Sequence, residues 1–232
     1  MVISTEPPAP KRGDGAEKRR RIMIAAERLF ASGRFHEITL DRVAEMAGVG
    51  KGTIYRFFKD KDDLVLQVAM SGFDELCCLV EAISRENIPF GAQLSKACES
   101  ISAFFATRRQ LFRLMQSEDA RLRLCRGPHS KEWDSRRQNL VRALAMILKR
   151  GATEGVLRRD APAEVLAAYL MGMMRCRARD LENAPEDWRG LDSTLDLFVW
   201  GACRVDERGR RTIGDGNFPS RTSGRRGISR SR

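Results

Sequence analysis

Apolar residues in this chain recur at three- and four-residue steps, and nowhere in the strict alternation of a half-buried strand. Ile22, Ala25, Ala26, Leu29 and Phe30 make the first such stripe, which Ser32-Gly33 closes. Leu40, Val43, Ala44 and Ala47 make the second. Thr39 precedes it with a hydroxyl suited to an orphan N–H at a helix start, and Asp41 puts negative charge in the first turn, where the helix dipole favours it. Gly48 then gives the permissive backbone of a sharp exit. Ile54 and Phe58 lie four apart in a short third helix beginning near Lys51.

Asp60 and Asp63 flank a fourth helix start, and Ala69, Phe73, Leu76, Val80 and Ile83 carry its rhythm to the break at Asn87-Ile88-Pro89. A second helical region follows. Its stripes are Leu94, Ala97, Ile101, Phe104 and Phe105, then Leu111, Leu114 and Met115, then Trp133, Leu140, Leu144, Ile147 and Leu148 in a long helix over about 130–154. After the break at residues 155–162, Val165, Tyr169, Met173 and Cys176 mark one inward face, and Leu195, Phe198, Val199 and Ala202 the last. All eight prolines fall in the expected arms or breaks. The expected fold is all-α. Residues 1–15 read as a disordered arm, 16–62 as a three-helix helix-turn-helix domain, 63–204 as a larger helical domain, and 205–232 as a disordered Arg/Gly/Ser-rich tail.

The outward face of the third helix carries the functional argument. Two helices joined by a glycine-containing turn are the arrangement that lays its second helix in the DNA major groove. Lys51 can neutralise phosphate, the Thr53 and Tyr55 hydroxyls can bond phosphate oxygens, and Gly52 lets backbone approach a strand. Arg56 can read guanine through a bidentate pair, and Phe57 can pack on a thymine methyl. Packing alone is the competing reading of such a helix pair, and the basic and aromatic residues on its exposed side weigh against it.

From Arg21 to about Val68 the sequence resembles the DNA-binding domain of tetracycline-repressor-like (TetR) regulators: Thr39, Val43-Ala44, Ala47-Gly48-Val49, Lys51-Gly52-Thr53-Ile54-Tyr55, Phe57-Phe58, Lys61 and Leu64 follow the family signature. The resemblance implies that Thr39, Lys51, Thr53, Tyr55, Arg56 and Lys61 contact double-stranded DNA, with Gly52 allowing close approach. Gly50 departs from the family's usual Ser or Thr, and Phe57 from its Tyr or His. The resemblance further implies a larger C-terminal ligand-binding and dimerisation domain, whose last two long helices pair with their copies across a two-fold axis. Independently, one short recognition helix contacts few base pairs, whereas two held about 34–36 Å apart read successive grooves of a palindrome.

Composition narrows the rest. A net charge of +11 favours a polyanionic partner, and 42% apolar residues suffice for a core. The longest apolar run, near residues 165–174, is about half a membrane span, and no secretory signal opens the chain. The expectation is a cytoplasmic, nucleoid-associated protein without a membrane partner. Six cysteines show neither C-x-x-C nor zinc spacing with His36 or His129, so no metal or cofactor is expected. Neither histidine sits in a catalytic motif, so no enzyme is expected. Phe104, Phe105, Met115, Trp133, Met146 and Tyr169 are candidates to line a pocket for an apolar small-molecule effector, and the same side chains equally suit ordinary core. The Lys18–Arg21 run suits a solvated face as well as a phosphate contact. The favoured function is a ligand-responsive, homodimeric transcriptional regulator, a repressor, on a palindromic operator. The alternative is a non-specific or architectural nucleic-acid-binding protein that uses the basic arm and tail.

Overall fold

Ten helices account for nearly all of the regular structure in the computed structural model, which describes residues 12–31, 37–124, 128–181, 183–202, 204–205 and 211–212. They are α1 (Arg12–Ala31), α2 (Leu40–Ala47), α3 (Lys51–Phe57), α4 (Lys61–Ser84), α5 (Phe90–Thr107), α6 (Arg109–Leu124), α7 (Pro128–Thr153), α8 (Ala163–Asp180), α9 (Glu186–Arg189) and α10 (Leu191–Ala202). The all-α expectation holds. A two-residue antiparallel pair, β1 (Arg204–Val205) with β2 (Arg211–Thr212), is the sole exception among the described residues; it falls in the tail expected to lack regular structure, at two β-preferring residues, Val205 and Thr212. The N-terminal arm before Arg12, the Ser32-Gly33 break, Cys125, Cys203, Glu182 and the rest of the tail lie outside the described residues.

The described residues form two compact units. One comprises those up to Glu81 together with Ser100–Ala143, and the other Ala82–Glu99 together with those from Leu144 onward. In the first unit α1 packs on α2, α3 and α6, and Ile22, Val43, Ile54, Phe58 and Leu64 are fully buried. α1 starts at Arg12, earlier than its apolar stripe, because a helix once nucleated extends through residues such as Gly13 and Gly15 at a cost of about 1 kcal/mol each. Asp60 caps α4 by accepting from the Asp63 N–H at 2.8 Å, and Asp63 accepts in return from the Lys59 N–H at 2.9 Å. α7 begins at Pro128, whose missing N–H costs nothing in a first turn.

In the second unit α10 packs on α8 and α9. The fully buried Gln93 amide donates to the carbonyls of Ile83, Ser84 and Glu86 at 2.8, 3.0 and 3.2 Å and so closes the end of α4. Arg159 does the same for α7, donating to Ala152 and Thr153 at 2.8 and 3.0 Å. The expected inward face of α8 needs correction. Leu166, Ala167, Leu170, Met171 and Met174 are the buried residues, whereas Val165 is 43% and Tyr169 68% exposed and Cys176 is exposed. α8 is apolar on two faces, and the described residues cover only one of them.

Candidate nucleic-acid interface

The turn between α2 and α3 sets the candidate interface. Thr39 adopts an extended backbone, and its hydroxyl accepts from the Arg42 N–H at 3.3 Å, the N-cap expected of it. At the other end of α2, Gly48 is left-handed (φ 61°, ψ 43°), its N–H bonds the Glu45 carbonyl at 3.0 Å, and the Val49 N–H bonds that of Ala44 at 3.0 Å. This is a Schellman closure, and the positive φ is why glycine stands there. The carbonyls of Ala47 and Gly48 lie at the mouth of the turn. The Arg21 guanidinium, reaching across from α1, donates to both, at 2.8 Å in the case of Gly48.

α3 leaves this turn with Gly50 as its N-cap, without a side-chain bond, as the missing hydroxyl dictates. Ile54 is its one buried residue, and Phe58, just past its end, is also fully buried. Lys51, Gly52, Tyr55 and Arg56 are exposed, while Thr53 and Phe57 are half-buried. Gly52 faces open space, so no side chain stands between that backbone and an approaching strand. The Arg56 guanidinium lies 5.1 Å from the centre of the Phe57 ring, which holds it against the helix surface. Lys51 donates to Asp41 at 2.7 Å, and this bond raises its pKa. Lys61 opens α4, half-buried. The structure thus brings Lys51, Gly52, Thr53, Tyr55, Arg56 and Phe57 onto one short helix, with Thr39 at the start of the helix before it.

Sequence reading missed the role of the basic run in α1. Arg19 bonds Gln67 and lies over the Phe58 ring, Arg20 pairs with Glu17 at 2.7 Å, and Arg21 holds the turn. Arg19 and Arg21 thus tie α1 to α4, Phe58 and the α2–α3 turn, whereas Arg20 stays paired on the exposed surface of α1 itself. Asp41, taken for a dipole residue, also pins Lys51 to α2.

The effector candidates separate. In the first unit Phe104, Phe105, Met115 and Trp133 are buried. Phe105 stacks on Phe112 at 4.1 Å, and Trp133 meets Phe73 edge-on at 4.9 Å while its indole N–H donates to Asp119 at 3.0 Å. Met146 and Tyr169, in the second unit, are 55% and 68% exposed. None of the six lines either described cavity. One, of about 330 Å³, is walled by polar residues including Arg19, Gln67, Asp74 and Arg136, and the other, of about 480 Å³, lies beside Arg158, Pro162 and Leu166. Burial leaves Cys98 with a thiol pushed up to about 12, and burial with a hydrogen bond to Glu81 takes Cys77 up to about 11, so neither is an activated thiolate. Among the described residues no group of histidine, cysteine and carboxylate side chains could hold a metal ion, and no helix is long and apolar enough to cross a membrane.

The bacterial tetR-family regulatory domain matches residues 22–68, from the buried face of α1 to the first turns of α4. An HTH-type transcriptional repressor of Mycobacterium tuberculosis is 26% identical over 182 residues, covering 78% of this chain and 91% of the relative. An HTH-type transcriptional regulator of Staphylococcus aureus is 41% identical over 63 residues, 27% of this chain and 34% of its own. Among solved structures, a regulator called FadR from Bacillus subtilis, crystallised with stearoyl-CoA, aligns with TM-score 0.65 at 20% identity over 78% of this chain and 98% of its own. A TetR/AcrR-family regulator from Thermobifida fusca aligns with TM-score 0.62 at 21% identity, over 81% and 99%. These are transcriptional regulators rather than enzymes. The matched segment coincides with the helix-turn-helix, so residues 22–68 carry the regulatory domain of the tetR family of bacterial proteins, and a helical body like that of the solved regulators follows it.

Proposed function

We propose that the protein is a homodimeric transcriptional repressor that places α3 of each subunit in successive major grooves of a palindromic operator and leaves it when a small molecule binds. The observation that carries this is α3 itself. A seven-residue helix with one buried side chain has almost nothing to contribute to a core, and its exposed surface is two cations, a tyrosine and a bare glycine. On this reading Lys51, Thr53, Tyr55, Thr39 and Lys61 hold phosphates, Arg56 reads a base, Phe57 supports it, and residues 16–62 are the DNA-binding segment.

The second face of α8 supports the dimer. Val165 and Tyr169 on α8, with Leu197 and Trp200 on α10, are 43%, 68%, 54% and 46% exposed, and large apolar side chains grouped on two packed helices mark a surface meant for a partner. A second copy meets the need that a single short reading helix creates. Tyr169 is assigned to this face instead of to a pocket. Residues 63–204 then form the effector and dimer segment, with an apolar effector entering beside Phe104, Phe105, Met115 and Trp133. The complex of the Bacillus subtilis neighbour with stearoyl-CoA supports a ligand of acyl character. Such a ligand releases DNA only by binding the released state more tightly.

Selection of bound fragments from random DNA, followed by titration at about 0.15 M salt, tests the reading. A recovered palindrome should bind roughly 10³-fold or more tightly than its scrambled version. Equal binding, or a monomer in sedimentation at working concentration, would refute it.

A further inference from the structure

Arg108 is the single residue between α5 and α6, fixed in that corner by its own N–H on the Phe104 carbonyl at 2.9 Å and by the Phe112 N–H on its carbonyl at 3.0 Å. Its guanidinium serves two other helices. Nε donates to Glu27 Oε1 of α1 at 2.8 Å, one terminal nitrogen donates to the other Glu27 oxygen, and the second terminal nitrogen donates to Glu75 of α4. Its carbon lies 5.3 Å from the centre of the Phe104 ring. Arg108 and Glu27 are each about three-quarters covered, with side-chain exposures of 26% and 25%. The other ion pairs within this unit include Arg20–Glu17 and Arg137–Asp134, which sit one turn apart on their own helices. Arg108 instead joins α1, α4 and the α5–α6 corner at one point, with Glu27 81 residues away in the chain.

Glu27 lies six residues beyond Arg21 on α1, about 9 Å along the axis. Arg21 holds the turn that aims α3, so anything that fixes α1 fixes α3. On the other side, Phe104 beneath the guanidinium touches Phe105 edge-on at 6.1 Å, Phe105 stacks on Phe112, and Leu111 and Met115 lie against Gly72 of α4. We infer that Arg108 is a positioning residue for operator binding: it clamps the DNA-reading helices in one pose against α4 and the α5–α6 corner, and it is the link through which displacement of the Phe104–Phe105 cluster reaches α3. The bidentate fork on Glu27 with a third donor on Glu75 is a geometry that lysine cannot reproduce. The inference rests on the operator-binding reading above.

The test compares wild type, Arg108→Met and Arg136→Met. Arg136 is the control because it is another multi-partner ion pair, tying α7 to α4 through Asp74 and to Glu132 on its own helix, and among the described residues its ion pairs do not include α1. Each protein is titrated with the selected palindrome, with versions carrying one or two extra base pairs between half-sites, and with a single half-site. Arg108→Met should hold the half-site within about twofold of wild type and lose about tenfold of its preference for the native spacing, while Arg136→Met keeps that preference. Unchanged spacing preference in Arg108→Met, or an equal loss in Arg136→Met, overturns the clamp. If Arg108→Met does not fold, Glu27→Gln, which removes one charge from the same bond, is held to the same outcomes. Hydrogen exchange without DNA separates the two readings: α1 amides should exchange faster in Arg108→Met than in Arg136→Met. Equal exchange refutes the clamp even if a palindrome is found, and failure of wild type to select any palindrome refutes the function.

Discussion

Replacing Gly48 by alanine tests whether the α2–α3 turn is held as described. An L-residue in the left-handed conformation of Gly48 costs about 1 kcal/mol. The new Cβ would also lie 2.6 Å from a terminal nitrogen of Arg21. That nitrogen is the free end of a flexible side chain, so it moves away, and its bonds to the Ala47 and Gly48 carbonyls go with it. Charge-assisted bonds of this kind reach about 1.5–3 kcal/mol when covered, and this one, on a largely exposed arginine, is set near 1 kcal/mol. Gly48→Ala should therefore cost about 2 kcal/mol and Arg21→Met about 1, but the double variant only about 2, because the alanine has already displaced the arginine. Urea unfolding of the four proteins, compared at a common m-value, gives the cycle. If the double variant lost about 3 kcal/mol, the two residues would be independent and the proposed bracing of the turn wrong.

Other expectations can be checked with the same material. Arg56→Ala should relax base preference at one position by about 1–3 kcal/mol as well as weaken binding, and uniform weakening across sequences would leave Arg56 on phosphate only. Lys51→Ala should flatten the log–log salt dependence by about 0.9 per half-site, and an unchanged slope would mean that Lys51 stays with Asp41 when the duplex arrives. Gly151→Ala sets two effects against each other. Helix propensity favours alanine by about 1 kcal/mol, but its Cβ would lie 2.5–2.8 Å from three atoms of the Phe90 ring, which is 1% exposed and has nowhere to go, so overpacking of about 1–3 kcal/mol wins and the urea midpoint falls. In the folded protein at pH 8, a maleimide should label exposed Cys78 and spare Cys98, whose thiol burial has raised to about 12; rapid labelling of Cys98 would show that its surroundings open.

What could be read beforehand was local. Thr39, Asp41, Gly48 and the Ile54–Phe58 spacing specify a cap, a turn and a buried seam within about twenty residues, and each is a short-range consequence of backbone chemistry. The second face of α8 was misassigned because Val165, Tyr169, Met173 and Cys176 keep the same period as Leu166, Leu170 and Met174. Periodicity identifies an apolar face without saying whether the chain itself covers it. The aromatic candidates meet the same limit. Hydrophobicity correctly buries Phe104, Phe105, Met115 and Trp133, but packing and a cavity demand the same residue types, and Met146, offered as a lining candidate outside the buried stripe of α7, is 55% exposed.

The arginines show the deeper limit. A run such as Lys18–Arg21 looks in sequence like charge for an external polyanion, yet the partners of Arg19 and Arg21 lie 48 and 26 residues away, and those of Arg108 lie 81 and 33 away. No window of ordinary length contains both ends of these bonds. The consequence reaches function, because a net charge of +11 then overstates how many cations are ready for phosphate near α3. Lys51 is shared with Asp41, Arg20 with Glu17, and one terminal nitrogen of Arg21 with two carbonyls. On the proposed operator-binding reading, charge still brings a duplex close, but with these local cations partly committed to the fold, discrimination between sequences falls to the exposed face of α3, above all Arg56 with its backing ring and the open backbone at Gly52.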